Sequence, residues 1–240
     1  MSIYTFLRSR PAIWRLVASV RDLPGFYWLW TRWFRNSTLH WQRHYEHGGD
    51  SGPGSYGESA LYKADLINRV VRDYNIQSII ELGCGDGNQL GYLQVSQYIG
   101  LDISKVAIQR CIIRHGQDPT RSFIRYDQEC FHDPLKILSA ECAMSLDVIF
   151  HLVEDDVFER YIINLFGSAR RFVIVYAVDQ EQARSVHVSV RLRRYSEYIA
   201  KVAPEFRVIL HVPRVGSFGD FYLYERHLTR ESFDAKANIR

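Results

Sequence analysis

The sequence predicts an α/β fold, a doubly wound and mostly parallel seven-stranded sheet that closes in a terminal antiparallel hairpin and is preceded by a helical, aromatic and basic extension. Three observations carry this. From residue 59 onward, short β-branched runs alternate with stretches of helical period, the pattern of parallel strands covered on both faces. The last two runs, "FRVILHV" and "DFYLYER", are separated only by "PRVGSFG", which allows a hairpin and leaves no room for a crossover. The first 47 residues form a compositional unit of their own, holding all five tryptophans (Trp14, Trp28, Trp30, Trp33, Trp41) and a net charge of +5.

In chain order, Pro24 and Gly25 divide that first segment into two short helices. "HGGDSGPGSYGES" follows, with five glycines, and reads as a hinge over residues 48–58 or as a plain flexible linker; it lacks the GK[ST] ending of a phosphate-binding loop. "ESALYKADLINRVVRDY" places Leu61, Ala64, Leu66, Ile67, Val70 and Val71 at helical spacing, with Asn75 to stop the helix. "IQSIIEL" is a buried strand ending in glycines, and "SQYIGLD" is a second, followed by a helix with Ser104 as N-cap and Gly116 as stop. "RSFIRYD", "CAMSL" and "RFVIVYA" supply three more strands. Between the last two, "EDDVFERYIINLF" opens with acids in its first turn and repeats apolar residues every four positions.

Chemistry concentrates after the first strand. "GCGDGNQL" puts Gly83, Gly85 and Gly87 at alternate positions before a predicted helix, where backbone can approach a ligand and a helix amino end offers N–H donors. Nineteen residues after Gly83, the second strand ends at Asp102, placed to accept from ribose hydroxyls or to cap the next helix. The loop reads GxGxG and not the dinucleotide GxGxxG, which disfavours a nicotinamide oxidoreductase. Asp86 inside it is a poor neighbour for a pyrophosphate and suits a ligand with a positive centre.

With these motifs the sequence resembles the class I, Rossmann-like methyltransferases that use S-adenosylmethionine. "IIELGCGDG" is similar to their first motif, "GLDIS" to the second, "FIRYDQE" to the third and "AMSLDVIFHL" to the fourth. The resemblance implies that Glu81 and the loop Gly83, Cys84, Gly85, Asp86, Gly87 hold the methionine part and that Asp102 holds the ribose. It further implies that Ile103 packs on the adenine with Asp127 or Gln128 at its edge, and that Ser145, Leu146 and Asp147 line the cofactor beneath the methyl. Asp127 is equally an ordinary turn residue. Tyr56 and Lys63, at the end of the glycine stretch, are expected to reach the cofactor, Lys63 at its carboxylate.

For the acceptor, His151 after the fourth strand reads as a general base or as a structural histidine. "SLDV" stands where base-methylating relatives carry an [ND]PP[YF] tetrad, so nucleic acid is disfavoured as acceptor, and no metal is expected. His187, Arg191, Arg193 and Arg194 fit either an anion-binding cluster or a solvated helix face. Together these point to a small polar or anionic acceptor, a glycan, lipid or secondary-metabolite hydroxyl. The Trp/Arg segment 1–47 reads as a lid over the domain 59–240, or as a peripheral membrane or protein contact. A non-catalytic adaptor that keeps the fold while this segment binds a membrane or partner is the alternative function. Cys84, Cys111, Cys130 and Cys142 lack zinc-site spacing, and no apolar run reaches the roughly 18 residues of a membrane span, so a cytoplasmic protein is expected.

Overall fold

In the computed structural model, residues 36–131, 133–181, 188–214 and 219–227 are described. The elements are α1 (Ser37–Glu46), α2 (Gly57–Asp73), β1 (Ser78–Leu82), β2 (Gln97–Asp102), α3 (Lys105–His115), β3 (Arg121–Arg125), β4 (Ala140–Leu146), α4 (Asp155–Gly167), β5 (Ala169–Ala177), α5 (Tyr195–Val202), β6 (Phe206–Val212) and β7 (Asp220–Arg226). The strands form one seven-stranded sheet in the order β3-β2-β1-β4-β5-β7-β6. The first five run parallel, with Leu82 beside Leu101 and Glu81 beside Met144. β7 inserts antiparallel between β5 and β6, which is the expected terminal hairpin.

Both faces are covered, as a parallel sheet requires. Ile67, Val70, Ile108 and Cys111 of α2 and α3 pack with Ile79 and Phe172 on one face. Tyr161, Leu165, Phe166 and Ile199 of α4 and α5 pack with Ile80 and Val173 on the other. α2 ends as its sequence requires. Asn75 takes φ +52°, and the N–H groups of Asn75 and Ile76 return to the carbonyls of Arg72 and Val71. Its inward face departs from the expectation at its start: Leu61 is 55% exposed, and Ala60 and Lys63 are buried in the row with Ala64 and Ile67.

Two further expectations change. No α-helix follows the glycine loop; the chain makes one 3₁₀ turn, Gln89–Tyr92, and enters β2. Only residues 88–96 separate the last loop glycine from β2, and Gly91 lies in the middle. Leu90, Leu93 and Val95 are buried along this short crossover, which satisfies its apolar residues without a helix. Of the expected helix over 187–202, the described residues 188–202 are helical only from Tyr195 to Val202, so Arg191 and Arg193 lie on no helix, and Arg193 bridges to Asp179. Among the described residues, no helix is long and apolar enough to cross a membrane.

The carboxyl ends of β1, β2, β3 and β4 lie side by side, and the order in which strands are laid along the sheet reverses between β1 and β4. That crevice is where open α/β sheets take their ligands.

Candidate active site

A cavity of about 780 Å³ opens at this crevice, within the range of about 300–1,000 Å³ typical of small-molecule sites. Its walls come from the carboxyl ends of the strands, from the loop 50–56 and from α1. Gly83, Cys84, Gly85, Glu81, Asp102, Ile103, Gln128, Leu146, Asp147, Tyr56 and His151, all expected at the site, line it.

The glycine loop is folded on itself. Gly83 and Cys84 donate to the carbonyl of Leu101, and Gly87 donates to that of Cys84. Gly85 donates to Asp102 Oδ2 at 3.0 Å, Asp86 to Ser51 Oγ at 2.9 Å and Asn88 to Asp86 Oδ1 at 3.1 Å. Each N–H from Gly83 to Asn88 already has a protein acceptor. A phosphate-binding loop must keep such donors for its ligand, so this loop is not built for a pyrophosphate. Gly85 is required on two counts, a φ of +59° and a Cβ that would stand 2.2 Å from Ser51 Oγ.

Asp86 and Gly87 lie off the cavity wall. Asp86 is buried beneath the glycine-rich stretch, where Tyr56 Oη donates to its Oδ2 at 2.6 Å and Ser51 N–H at 3.3 Å. Burial opposes its ionisation, but the bonds from Tyr56, Asn88 and Ser51 outweigh that and hold its carboxyl below the usual range. The glycine-rich stretch is thus a clip. Tyr45 Oη sits 2.9 Å from Ser51 Oγ, and Asn88 Nδ2 donates to Ser55 O at 2.7 Å. Replacing Tyr56 with Phe removes the donor and leaves the ring. Cofactor affinity is expected to fall a few-fold, the worth of one charge-assisted bond partly replaced by water; a plain linker would leave the titration unchanged.

Asp102 is 7% exposed and takes N–H groups from Gly85 and from Ser104, the latter at 2.8 Å on Oδ1. Burial pushes its pKa up to about 6, against the pull of those backbone donors. Glu81 lines the cavity at its buried end, accepts from the Tyr98 hydroxyl and is pushed by burial to about 7. Gln128 donates to Tyr126 Oη at 3.2 Å, while its Oε1 and that of Gln89 are buried without a partner among the described residues. Both glutamines line the cavity. Buried orphan acceptors on a ligand wall call for donors from a guest, and with the paired acids and the apolar Ile103 and Leu146 they fit an adenosine group carrying a hydroxylated ribose.

Asp147 adopts φ +57°, which turns its carboxylate toward Lys63 Nζ at 2.6 Å. Lys63 is fully buried and behind the wall, so its partner in the protein is Asp147. A Cβ on Gly54 would stand 2.6 Å from the same Oδ2. Gly54→Ala is therefore expected to cost about 1–3 kcal/mol by overpacking and to weaken cofactor binding, read by thermal unfolding and calorimetric titration. Gly91→Ala, where a Cβ meets nothing within 4 Å, is the silent control.

Other expected residues fall elsewhere. Ser145 is sealed beneath the site, where its hydroxyl is 2.7 Å from that of Tyr161, which donates to Leu82 O. Asp127 is exposed and turns its carboxylate to Glu129 N–H, so Gln128 is the member of that pair on the wall. Arg191 pairs with Asp155 at 3.0 Å and donates to Val153 O, Arg193 reaches Leu152 O and Val153 O, and Arg194 lies 3.8 Å from Glu197; none lines the cavity. His187, and Trp14, Trp28, Trp30 and Trp33 of the amino segment, lie outside the described residues.

His151 stands on the 3₁₀ turn Ile149–His151 after β4, with Nδ1 3.0 Å from Ser189 O. A carbonyl only accepts, so Nδ1 carries the proton and Nε2 is the basic nitrogen. α1 crosses above. Its first turn is held by Glu154, which accepts from Ser37 N–H at 2.9 Å and from Ser37 Oγ at 2.6 Å. Its far end is held by Arg110, which donates to Gly49 O at 2.5 Å and lies over the Tyr45 ring. Trp41, His44, Tyr45, Ser51, Gln89, Tyr126 and Phe150 line the cavity without having been expected. Tyr126, Phe150 and Gln89 lay inside recognised motifs; the others sit outside them.

A family model described as a methyltransferase domain matches residues 80–166. The fold is similar to that of the N-methyltransferase NodS from Bradyrhizobium japonicum in complex with S-adenosyl-L-homocysteine, with a TM-score of 0.64 at 14% identity over 80% of this chain and 98% of that one. Magnesium protoporphyrin IX methyltransferase from Synechocystis with bound S-adenosyl-L-homocysteine gives a TM-score of 0.57 at 14% identity over 82% and 97%. The CurJ carbon methyltransferase gives 0.55 at 12% over 73% and 57%. No curated protein sequence matches the chain. With a glycine loop whose donors are all engaged and acids at the ends of β1 and β2, the match over residues 80–166 gives the chain a methyltransferase domain, on a fold shared with methyltransferases solved with bound S-adenosyl-L-homocysteine.

Proposed function

We propose that the protein transfers the methyl group to a hydroxyl of a small polar acceptor, of the glycan, lipid or secondary-metabolite kind, and that His151 takes the hydroxyl proton. When bound, S-adenosylmethionine supplies a methyl group on a positively charged sulfur. In this reading Asp102 receives the ribose hydroxyls, Ile103 and Gln128 receive the adenine face and edge, and Glu81 with Gly83 to Gly85 receive the methionine end. Asp147 and Leu146 bound the cavity on the β4 side, and Lys63 positions Asp147.

The observation that carries the reading is His151 itself. It lines the cavity three residues after Val148, and the carbonyl of Ser189 fixes its tautomer with Nε2 as the base. With the cofactor bound, Nε2 of His151 would take the O–H proton as the methyl is given to the acceptor oxygen and the carbon–sulfur bonding pair leaves with the sulfur, so charge would balance within the site. α1 and the clip 47–56 form the lid that excludes water. The four thiols are free, three of them buried, in keeping with a reducing compartment.

The test is incubation with methyl-labelled S-adenosylmethionine and a metabolite extract, followed by mass spectrometry of the labelled products. Label on oxygen supports the proposal; label on nitrogen or carbon alone overturns it. Cofactor binding with no labelled product from any acceptor class supports the adaptor alternative.

A further inference from the structure

The outer part of the cavity is walled by rings from two segments far apart in sequence. His44 and Trp41 of α1 meet at 5.1 Å between centroids, Trp41 and His151 at 4.7 Å, and His151 and Phe150 at 4.5 Å. All four are half-buried and line the cavity, so each still presents surface to whatever enters. Within this row the contacts of Trp41 with His44 and His151 are edge-on, 74° between planes, and Trp41 also meets Tyr45 at a tilted 42°. The row ends at the residue proposed as the base.

The charges of the cavity point the same way. Its lining among the described residues includes Asp50, Glu81, Asp102 and Asp147 and contains no Lys or Arg. Lys63 is committed to Asp147 at 2.6 Å. Arg191 and Arg193 are drawn off to Asp155 and the carbonyls of Leu152 and Val153. An anionic acceptor entering here would meet carboxylates with no cation to pair it, a costly arrangement in a partly dry site. A flat, uncharged guest meets ring faces instead.

We infer that the ring row His44, Trp41, His151 and Phe150 is the acceptor subsite, and that it takes a planar, uncharged aromatic hydroxyl with its ring against Trp41 and Phe150 and its oxygen toward His151. This rests on the hydroxyl reading above and narrows it. The subsite assembles only when α1 lies across the cavity, because Trp41 and Phe150 are brought together by nothing in the sheet. Glu154, holding Ser37 at one end of α1, and Arg110, holding Gly49 beyond the other, are its positioning residues.

The test is calorimetric titration of the full chain, saturated with S-adenosylhomocysteine, at about pH 8. The probes are 2-naphthol, 2-naphthoate and methyl glucoside. Naphthol is expected to bind at least about tenfold more tightly than either of the others. Trp41→Leu and Phe150→Leu are each expected to weaken naphthol about tenfold while S-adenosylhomocysteine affinity, which also reports the integrity of the fold, stays within about twofold. Naphthoate or glucoside binding as well as naphthol, no naphthol binding, or naphthol affinity untouched in both variants overturns the inference. Methyl transfer to naphthol is read in parallel. Binding in the subsite with no transfer supports the subsite and overturns the hydroxyl chemistry, so the two failures are distinguishable.

Discussion

Asp102→Asn is expected to weaken S-adenosylmethionine binding by roughly 30-fold, and Asp102→Ala by about 100-fold or more, as the acceptor proposed for the ribose hydroxyls is first made neutral and then removed. Asn keeps the shape but removes the charge and turns a donor toward the N–H of Gly85 or Ser104. The same group makes binding depend on pH. With Asp102 at about 6 in the cofactor-free protein, affinity is expected to fall as pH drops through 6, because a protonated acid loses half its acceptor capacity. Stability of the cofactor-free protein moves oppositely. Asp102 and Glu81, raised by burial to about 6 and about 7, bind protons more tightly folded than unfolded. Their contribution is fully present below pH about 4 and is lost as pH rises through 6 and 7, on the order of 2–3 kcal/mol apiece. Thermal unfolding without cofactor should therefore show the wild type losing stability from pH 5 to 8, and Glu81→Gln with Asp102→Asn losing much less. A wild type whose stability rises over that interval would show that these acids are not desolvated in the free protein.

His151→Gln is expected to lower kcat by about 10²–10³ while leaving S-adenosylmethionine affinity within about twofold, the range for loss of a positioned general base. Gln keeps a polar side chain opposite Ser189 O but offers no basic nitrogen. The part of the acidic limb of the kcat profile that reports an unprotonated base should be lost with it. A purely structural histidine would instead show a fall in thermal stability with the pH profile unmoved.

How much of this was legible beforehand varies by residue. Asp102, Glu81 and the glycines were readable because strand ends and tight turns are local events; a β-branched run followed by glycines can be recognised without knowing its neighbours. The helix after the loop was misjudged because a helix is the usual crossover between parallel strands, while the actual length available, residues 88–96, permits a single 3₁₀ turn. Lys63 was read as reaching for the cofactor. Its burial beside Asp147 depends on a positive φ at a non-glycine residue, which sequence patterns do not reveal. Arg191 and Arg194 illustrate a different limit. A basic cluster looks like an anion site until its acids, Asp155 and Glu197, are placed beside it.

The sequence by itself determined the strand order's raw material, the cofactor class and the end of the sheet at which chemistry occurs. All of these follow from backbone conformations encoded within a few residues of one another. Only the tertiary structure decided what the glycine-rich stretch 47–59 does and what faces the acceptor. It brought Ser51 and Tyr56 onto Asp86, 35 and 30 residues away, and set Trp41 against His151, 110 residues away. Contacts of that span depend on how the sheet twists and where α1 lies on it. The energy holding them is spread over many weak, distant partners, and no local pattern records it.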